Sequence, residues 1–327
     1  MLSTYQTSPN IAIVKYWGMR DEEKKLPANG SISFTLGENL RTTTSVEFSP
    51  SLTSDILVLN KHRVEGRALA EVSRQLDIIR KIKNIKTRAK VVTQNNFPTG
   101  AGIASSASGF AALTLAACDA LNLNLSLRDL SIIARQVSAS ASRSIYGGFV
   151  ELKRGKKKDG SDSYSKQIAS PDHWPNLRDL ILIVSDTEKK VSSREGMQRT
   201  VKTNPDFPFR VERAEKRITR VRHAILKKDH ETLFSLAMEE SDDLHQTIEN
   251  SKPPFKYLNR ISHSIINEVI KINSRELLCA YTFDAGPNAH ILTLEENLPK
   301  ILPSLLRIKG IKRHILSWVG TGPRKIT

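Results

Sequence analysis

The order of apolar and polar residues along the first third of the chain predicts strands followed by helices. Strands are predicted at residues 10–18, 31–36, 42–48, 55–60 and 89–95, where β-branched and apolar residues lie between turn-forming segments. Apolar residues recur at helical spacing from Leu69 to Ile79, which predicts a helix over 65–83. A second helical pattern runs over 106–121.

Further along, the pattern changes to long helices and then back to strands. A helix is predicted over 126–138, with Ser126 as its N-cap. A hairpin is predicted from 147–155 and 164–170, and the unbroken apolar run inside 179–186 predicts that this segment is a buried strand. Mostly long helices are predicted over 209–273, interrupted at 253–259, and strands are predicted at 278–286, 290–296 and 314–320.

This change of character predicts an α+β protein with two lobes. The chain has 327 residues, which exceeds the size at which a single hydrophobic core usually stops growing. We place the boundary near residue 185, with a β-rich mixed N-terminal lobe over 1–185 and an α+β C-terminal lobe over 186–327.

The charge of the chain favours anionic partners. Lysine and arginine total 50 against 34 aspartates and glutamates, a formal net charge of +16 in an otherwise ordinary globular composition. The basic clusters at 81–90, 154–160 and 215–230 lack the interleaved aromatic residues of a surface that stacks single-stranded nucleic acid. We therefore interpret most of the lysines as solvated surface and expect no nucleic-acid partner.

Nothing in the sequence predicts export or a membrane partner. The first ten residues lack the basic start and apolar core of a signal peptide. The longest run of low charge, residues 101–121, contains serines and Asp119, which makes it a poor bilayer segment. Cys118 and Cys279 show no metal-binding spacing and are predicted to be free, buried thiols. We expect a soluble cytoplasmic protein.

One stretch, FPTGAGIASSASG (residues 97–109), consists almost entirely of small residues. It follows a predicted strand and precedes a predicted helix, an arrangement that presents backbone N–H groups and the positive end of a helix to an anion. Serine hydroxyls add donors and can reach a phosphate-bound Mg²⁺. Small residues also permit tight helix packing, and composition alone leaves the two interpretations about equally favoured.

Two further stretches combine residue types suited to anion binding or proton transfer. SASASRSIYGG (138–148) places Arg143 among serines, which suits a phosphate or carboxylate ligand, although a serine-rich helix end explains it as well. FDAGPNAH (283–290) places Asp284 in a turn, either as a turn residue bonded to its own backbone or as a positioned base.

A fourth stretch, NIAIVKYWGMR (10–20), places Lys15 beside Tyr16 and Trp17 and is ambiguous on its own. Taken together and in order, the motifs resemble those of the mevalonate diphosphate decarboxylases, a family of the GHMP kinase superfamily. They spread from residue 10 to about 292 and read NIAIVKYWGMRDEEKKLPANGSISFTL, NNFPTGAGIASSASGFAAL, SASASRSIYGGFVEL, SSREGMQRTV, PPFKYLN and FDAGPNAHIL.

The resemblance implies a two-lobed GHMP kinase fold, with a ribosomal-protein-type N-terminal lobe and a ferredoxin-like C-terminal lobe around an active-site cleft. It also implies a reaction: (R)-5-diphosphomevalonate and ATP give isopentenyl diphosphate, ADP, phosphate and CO₂, with Mg²⁺ on the ATP phosphates. Members of the family are commonly homodimers, so a homodimer is expected here.

The resemblance also implies roles for individual residues. Asp284 would face the substrate's C3 hydroxyl, and Lys15 and Arg143 would be the basic partners of that acid and of the substrate carboxylate. Residues implied in binding the substrate are Tyr16, Trp17, Gly18, Met19, Arg67, Ser138, Ala139, Ser140, Ala141, Ser142, Arg143 and Arg194. Residues implied in binding the nucleotide phosphates are Pro98, Gly100, Gly102, Ala104, Ser105, Ser106, Ser108 and Gly109. No protein ligand set for a metal is implied.

Two departures from the family pattern bear on phosphate binding. The family usually has lysine where this chain has Met19, and glycine where it has Ala139. Two alternatives within the superfamily are therefore a phosphomevalonate decarboxylase and a mevalonate 3-kinase. A more distant alternative is a basic RNA-binding protein, which predicts RNA affinity that falls steeply with salt and no ATP turnover.

Overall fold

The computed structural model of the chain describes residues 1–97, 105–187 and 189–327. Its strands are β1 (Leu2–Thr7), β2 (Asn10–Val14), β3 (Met19–Asp21), β4 (Leu26–Pro27), β5 (Ser31–Thr35), β6 (Thr42–Ser49), β7 (Ile56–Leu59), β8 (His62–Val64), β9 (Arg88–Asn95), β10 (Phe149–Leu152), β11 (Ser165–Ala169), β12 (Leu177–Ile183), β13 (Cys279–Phe283), β14 (Ala289–Leu294), β15 (Arg313–Trp318) and β16 (Arg324–Lys325). Its α-helices are α1 (Arg67–Lys83), α2 (Ser105–Ala120), α3 (Leu127–Arg135), α4 (Ser193–Thr203), α5 (Phe207–Lys227), α6 (His230–Glu249), α7 (Arg260–Ile272) and α8 (Leu298–Leu306). Among these helices, none combines the length and apolar character that crossing a bilayer requires.

The N-terminal part of the chain contains two larger sheets and the two-stranded sheet β3-β4. The first has the strand order β16-β1-β6-β9-β7-β8, with only the β7–β9 pair parallel. Helices α1 and α2 pack against it, and Leu76 and Ala116 share a core with Val46 and Phe48. The second sheet has the antiparallel order β11-β10-β5-β2, and α5 packs beside it.

The C-terminal part is built on the antiparallel sheet β13-β14-β12-β15. Alternate residues of β12 face different cores, as the period of a strand requires. Ile181 packs in a core shared with Phe34 and Ile218, whereas Leu180 packs in one shared with Ile265. Because both faces of β12 are covered there, its residues 180–183 are all apolar. The predicted lobe boundary near residue 185 lies just beyond this strand and stays a prediction.

Most predicted elements are present, with shifted ends. The helix predicted over 65–83 is α1, and the predicted interruption of the long helices at 253–259 separates α6 from α7. Helices α4 and α8 are not among the predictions, because α4 contains Gly196 and α8 contains Pro303, which both weaken a helical pattern. Both cysteines are free and buried, as predicted.

The strand predicted over 10–18 is wrong in its second half, because β2 ends at Val14. Beyond Val14 the backbone N–H groups bond to side chains and no longer to a neighbouring strand. The Glu240 carboxylate accepts a hydrogen bond from the N–H of Lys15 at 2.9 Å, and the Asn29 side-chain oxygen accepts one from the N–H of Trp17 at 3.2 Å. Gly18 then turns the chain with a φ of +83°, a conformation that favours glycine. The consequence is that residues 15–18 leave the sheet.

Candidate active site

A cavity of about 340 Å³ is lined by residues from both parts of the chain. Its wall combines the segment after β2, the start of α2, residues 137–143, helix α4 and the turn after β13. The charged residues of the described wall are Lys15, Glu22, Lys25, Glu71, Arg143, Lys189, Arg194 and Asp284. Five of these are cationic and three acidic, so the wall favours an anionic ligand.

Asp284 and Lys15 form an ion pair in this wall. Asp284 directly follows β13, and its carbonyl accepts the N–H of Gly286 at 2.7 Å, which closes the turn. Lys15 Nζ lies 2.6 Å from Asp284 Oδ1 and also donates to the carbonyl of Ala12 at 2.8 Å. The lysine side chain is 4% exposed and that of Asp284 is 33% exposed. The carboxylate therefore keeps an accessible side while its cationic partner is buried.

The environment of Asp284 keeps its carboxyl group ionised. Burial by itself raises the pKa of Asp284, but the charge of Lys15, with smaller contributions from His290 and Arg143, outweighs burial. The pKa of Asp284 consequently lies below the ordinary value for aspartate. At neutral pH this carboxylate can accept a hydrogen bond or a proton from a hydroxyl group.

Arg143 is a buried cation held by neutral groups. Its Nε and Nη2 donate to Asn10 Oδ1 at 3.2 and 2.9 Å, Nε also donates to Ser33 Oγ at 2.8 Å, and Nη1 donates to Ser31 Oγ at 2.9 Å. In the described part of the chain, no carboxylate lies within ion-pair distance of this guanidinium. Burial lowers the pKa of Arg143 to about 10. An anion bound in the cavity would provide the negative partner for Arg143 that the described residues do not provide.

A buried ion pair holds the backbone of Lys15 from behind. Glu240 of α6 accepts the Lys15 N–H, and Arg210 of α5 donates to the Lys15 carbonyl at 3.3 Å. Glu240 and Arg210 also bond to each other, and neither side chain is exposed. Helices α5 and α6 thereby fix the position from which Lys15 reaches Asp284.

Replacing Glu240 with glutamine is expected to lower the free energy of unfolding by about 3–5 kcal/mol, because Arg210 would keep a buried charge without its main anion. Urea unfolding measures this change. The control is Glu195→Gln, which removes the exposed partner of Arg199 and is expected to cost less than about 1 kcal/mol. Similar small losses in both variants would contradict the role given to Glu240.

The residues predicted to bind substrate divide into two groups. Those that line the cavity are Tyr16, Trp17, Met19, Ser138, Ala139, Ser140, Arg143 and Arg194, whereas Gly18, Arg67, Ala141 and Ser142 are not part of its described lining. Ala141 and Ser142 are fully buried, and the Ser142 hydroxyl donates to the carbonyl of Ala139 at 2.7 Å. These two residues support the wall from behind, and Gly18 shapes the turn beside it.

Glu71 joins two of the predicted arginines. Its Oε1 lies 2.7 Å from Arg194 Nη1 and 3.2 Å from Arg67 Nε. Arg194 lies on α4 and lines the cavity, whereas the side chain of Arg67 is 66% exposed outside it. Arg67 therefore reaches the cavity only through the carboxylate of Glu71, which itself lines the wall.

The predicted phosphate loop is described in part. Pro98, Gly100, Gly102 and Ala104 lie outside the described residues. Ser105 and Ser106 begin α2 and line the cavity. Ser108 is fully buried, bonds to Thr42 Oγ1 at 2.6 Å and is not part of the described lining of the cavity. Gly109 lines a second, mainly apolar cavity of about 230 Å³ that shares Ser105 and Ser106 with the first.

Sequence reasoning missed several residues of the wall. Asn10 orients Arg143 and is the first residue of the motif at 10–20, in which sequence reasoning considered Lys15 and its aromatic neighbours but not Asn10. Lys189, whose Nζ lies 3.3 Å from Ser193 Oγ, and Lys25 both come from lysine-containing stretches that read as solvated surface. Among the described residues, no group of three or more His, Cys, Asp or Glu side chains is arranged to hold a metal ion.

Two family models match the chain over most of its length. The "Diphosphomevalonate decarboxylase-like N-terminal domain" matches residues 7–165, and the "Mevalonate 5-diphosphate decarboxylase C-terminal domain" matches residues 179–319. Among curated relatives, the diphosphomevalonate decarboxylase of Candida albicans is 40% identical and covers 99% of this chain and 98% of that protein. The human diphosphomevalonate decarboxylase is 39% identical, covering 91% of this chain and 78% of that protein.

Solved structures agree with these matches. Mevalonate diphosphate decarboxylase from Staphylococcus aureus superposes with a TM-score of 0.94 at 36% identity, covering 100% of this chain and 99% of that one. A structure described as "MDDEF in complex with MVAPP, AMPPCP and Magnesium" superposes with a TM-score of 0.93 at 35% identity, with the same coverage. The predicted α+β fold of the GHMP kinase type is thereby confirmed. Sequence, fold and family models agree that this chain belongs to the diphosphomevalonate decarboxylase family.

Proposed function

We propose that the chain catalyses the ATP-dependent decarboxylation of (R)-5-diphosphomevalonate to isopentenyl diphosphate, with ADP, phosphate and CO₂ as the other products. The observation that carries the proposal is the ionised, accessible Asp284, paired with Lys15 in a cavity that also holds the unpaired cation Arg143. The proposed reaction needs a base near the C3 hydroxyl of the substrate and a cation near its carboxylate. Asp284 and Arg143 provide these two groups in one cavity.

The first chemical step transfers the γ-phosphoryl group of ATP to the C3 hydroxyl. This hydroxyl is tertiary and a poor nucleophile, so it needs orientation and a nearby base. Asp284 accepts its hydrogen bond and takes its proton as the oxygen attacks phosphorus. Lys15 holds the carboxylate in place through its 2.6 Å contact, and its charge suits the negative charge that develops on the transferred oxygens.

The second step removes phosphate and CO₂. When the bond between C3 and the phosphate oxygen breaks, C3 becomes electron-deficient. The bond between C2 and the carboxyl carbon then breaks, and its electron pair forms the C2–C3 double bond. Arg143 suits the binding of the substrate carboxylate, because two of its five N–H groups have no partner among the described residues. Because its hydrogen-bond partners are neutral side chains, no ion pair among the described residues offsets the charge of Arg143 before the substrate binds.

ATP is proposed to span the two cavities. The second cavity is lined by apolar residues of β7, β9 and α1, such as Leu57, Val91 and Val72, which suit a purine base. Ser105 and Ser106, at the start of α2, line both cavities and can donate to the phosphates that lie between them. When bound with ATP, Mg²⁺ would neutralise part of the phosphate charge, and the hydroxyl groups of Ser105 and Ser106 would be available to it as oxygen ligands.

Further proposals follow from the family resemblance and from the sequence pattern. We propose that the protein acts as a cytoplasmic homodimer and that its lobes divide near residue 185. Sedimentation equilibrium of the purified protein measures the number of subunits directly.

One assay tests the reaction. The protein is incubated with Mg²⁺ and ATP together with mevalonate, its monophosphate or its diphosphate, and ADP and CO₂ are measured separately. We expect equal amounts of ADP and CO₂ with the diphosphate and much slower turnover with the other two. ADP without CO₂ would identify a kinase, and CO₂ formed fastest from the monophosphate would identify a phosphomevalonate decarboxylase.

A further inference from the structure

Lys25 is a buried cation in the cavity wall that none of the assignments above uses. The residue is 9% exposed and lines the cavity together with Met19, Glu22, Glu71 and Arg194. Its Nζ has neither a hydrogen bond nor an ion pair with any residue of the described ranges. A lysine this buried usually has an acidic partner, because removing an ammonium group from water is costly.

The backbone at Lys25 is held by a left-handed turn and by hydrogen bonds from Arg135. The residue lies between β3 and β4 with a φ of +53°, which is uncommon for a residue other than glycine. The guanidinium of Arg135, itself almost fully buried, donates to the carbonyls of Lys24 and Lys25 at 2.6 and 3.0 Å. The fixed backbone sets the direction in which the Lys25 side chain leaves the chain.

The acids nearest to Lys25 are already engaged. Glu71 forms an ion pair with Arg194, and Glu22 accepts a hydrogen bond from Gln198. Burial lowers the pKa of Lys25, the cations Arg194 and Arg74 lower it further, and Glu22 and Glu71 oppose them only in part. The site thus holds more positive charge than its own acids balance.

Met19, on the same hairpin, offers no charge to a phosphate. It pairs with Pro27 across the hairpin and packs against the apolar cluster that contains Trp17 and Phe207. The segment 16–19, which the sequence motifs assign to the substrate, therefore presents backbone and aromatic groups but no cation. Any cation that this hairpin provides to the cavity has to come from another position.

We propose that Lys25 binds the diphosphate group of the substrate together with Arg194, supplying from the turn of the hairpin the cation that Met19 does not. The inference rests on the proposed function and identifies a residue that decides between diphosphate and monophosphate substrates. The second phosphate of a diphosphate adds negative charge that the ammonium group of Lys25, unpaired within the described ranges, can bind. A monophosphate would leave some cations of the cavity wall without an anionic partner.

The test compares Lys25→Met with Lys24→Met in steady-state kinetics. Lys24 is the adjacent lysine, but its side chain is 46% exposed and its Nζ donates to the carbonyl of Lys158. Lys25→Met is expected to raise KM for diphosphomevalonate by roughly 10–100-fold, the usual effect of losing a hydrogen bond to a charged group, while KM for ATP stays unchanged. Lys24→Met is expected to change neither constant.

Two further variants separate charge from folding. Lys25→Asn suits the left-handed backbone conformation and should lose diphosphate affinity to the same extent as Lys25→Met. Met19→Lys, added to Lys25→Met, should restore at least part of the affinity by returning a cation to the hairpin. An unchanged KM in both Lys25 variants, or equal losses in the Lys24 and Lys25 variants, would overturn the proposal.

Binding of inorganic pyrophosphate, measured by calorimetry, keeps this test independent of turnover. If the wild-type protein does not decarboxylate diphosphomevalonate, the proposed function fails. Weaker pyrophosphate binding by Lys25→Met, with unchanged binding by Lys24→Met, would still support Lys25 as a diphosphate ligand. Equal pyrophosphate affinity in all three proteins would overturn that assignment on its own.

Discussion

Asp284→Asn is expected to lower kcat by roughly 10³-fold, within the range that a positioned acid or base contributes, while ATP still binds. Asparagine keeps the shape of the side chain but cannot take a proton from the C3 hydroxyl. It also leaves the buried ammonium of Lys15 without an anionic partner, because the asparagine amide oxygen and the carbonyl of Ala12 are both neutral acceptors. Single-turnover kinetics of ADP formation, together with fluorescence titration of a labelled ATP analogue, measure the two effects separately.

Asp186→Asn is the control for this variant. Asp186 is half exposed and pairs with Lys312 outside the cavity, so its replacement should leave kcat within about twofold of wild type. Near-normal turnover by Asp284→Asn would remove this residue from the mechanism. Loss of ATP binding in the same variant would mean that the residue acts on the nucleotide and not on the alcohol.

Arg143→Gln is expected to lower kcat/KM for diphosphomevalonate by about 10²–10³-fold, the cost of removing one preorganised donor from a charge-stabilising site. The guanidinium is the buried cation whose remaining N–H groups suit the substrate carboxylate, so KM should rise as well as kcat fall. Glutamine can still bond to Asn10 or Ser33, which limits damage to the surrounding structure. Initial rates over a range of substrate concentrations separate the two constants.

Arg178→Gln serves as the matched control. Arg178 lies on β12 and pairs with the exposed Glu295, remote from the described wall of the cavity. Its loss should leave kcat/KM within about twofold of wild type. An Arg143→Gln enzyme whose KM does not change would show that the arginine does not contact the substrate.

Local sequence patterns predicted those parts of the fold that local interactions determine. The apolar spacing of α1 and the apolar run in the second half of β12 were sufficient, because α1 buries a single stripe of side chains and β12 buries both of its faces. Helix α4 buries only Gly196, Met197 and Thr200, so its helical pattern is weak and packing decides its structure. The end of β2 could not be predicted, because the group that captures the Lys15 backbone is Glu240, 225 positions away.

The candidate site was predictable as a set of motifs but not as a geometry. Asp284 and Lys15 lie 269 residues apart, and only the order of the motifs indicated that they belong together. The neutral partners of Arg143 come from the neighbouring strands β2 and β5, so they depend on strand register. Lys25 lies in the charged run DEEKK, where nothing local distinguishes a buried lysine from a solvated one.

A crystal structure of this protein with diphosphomevalonate and a non-hydrolysable ATP analogue would examine the central contact itself. We predict that the C3 hydroxyl oxygen lies about 2.6–3.2 Å from a carboxylate oxygen of Asp284, with the γ-phosphorus on its far side and the substrate carboxylate on Arg143. A hydroxyl directed away from Asp284, with that carboxylate bonded only to Lys15, would contradict the account.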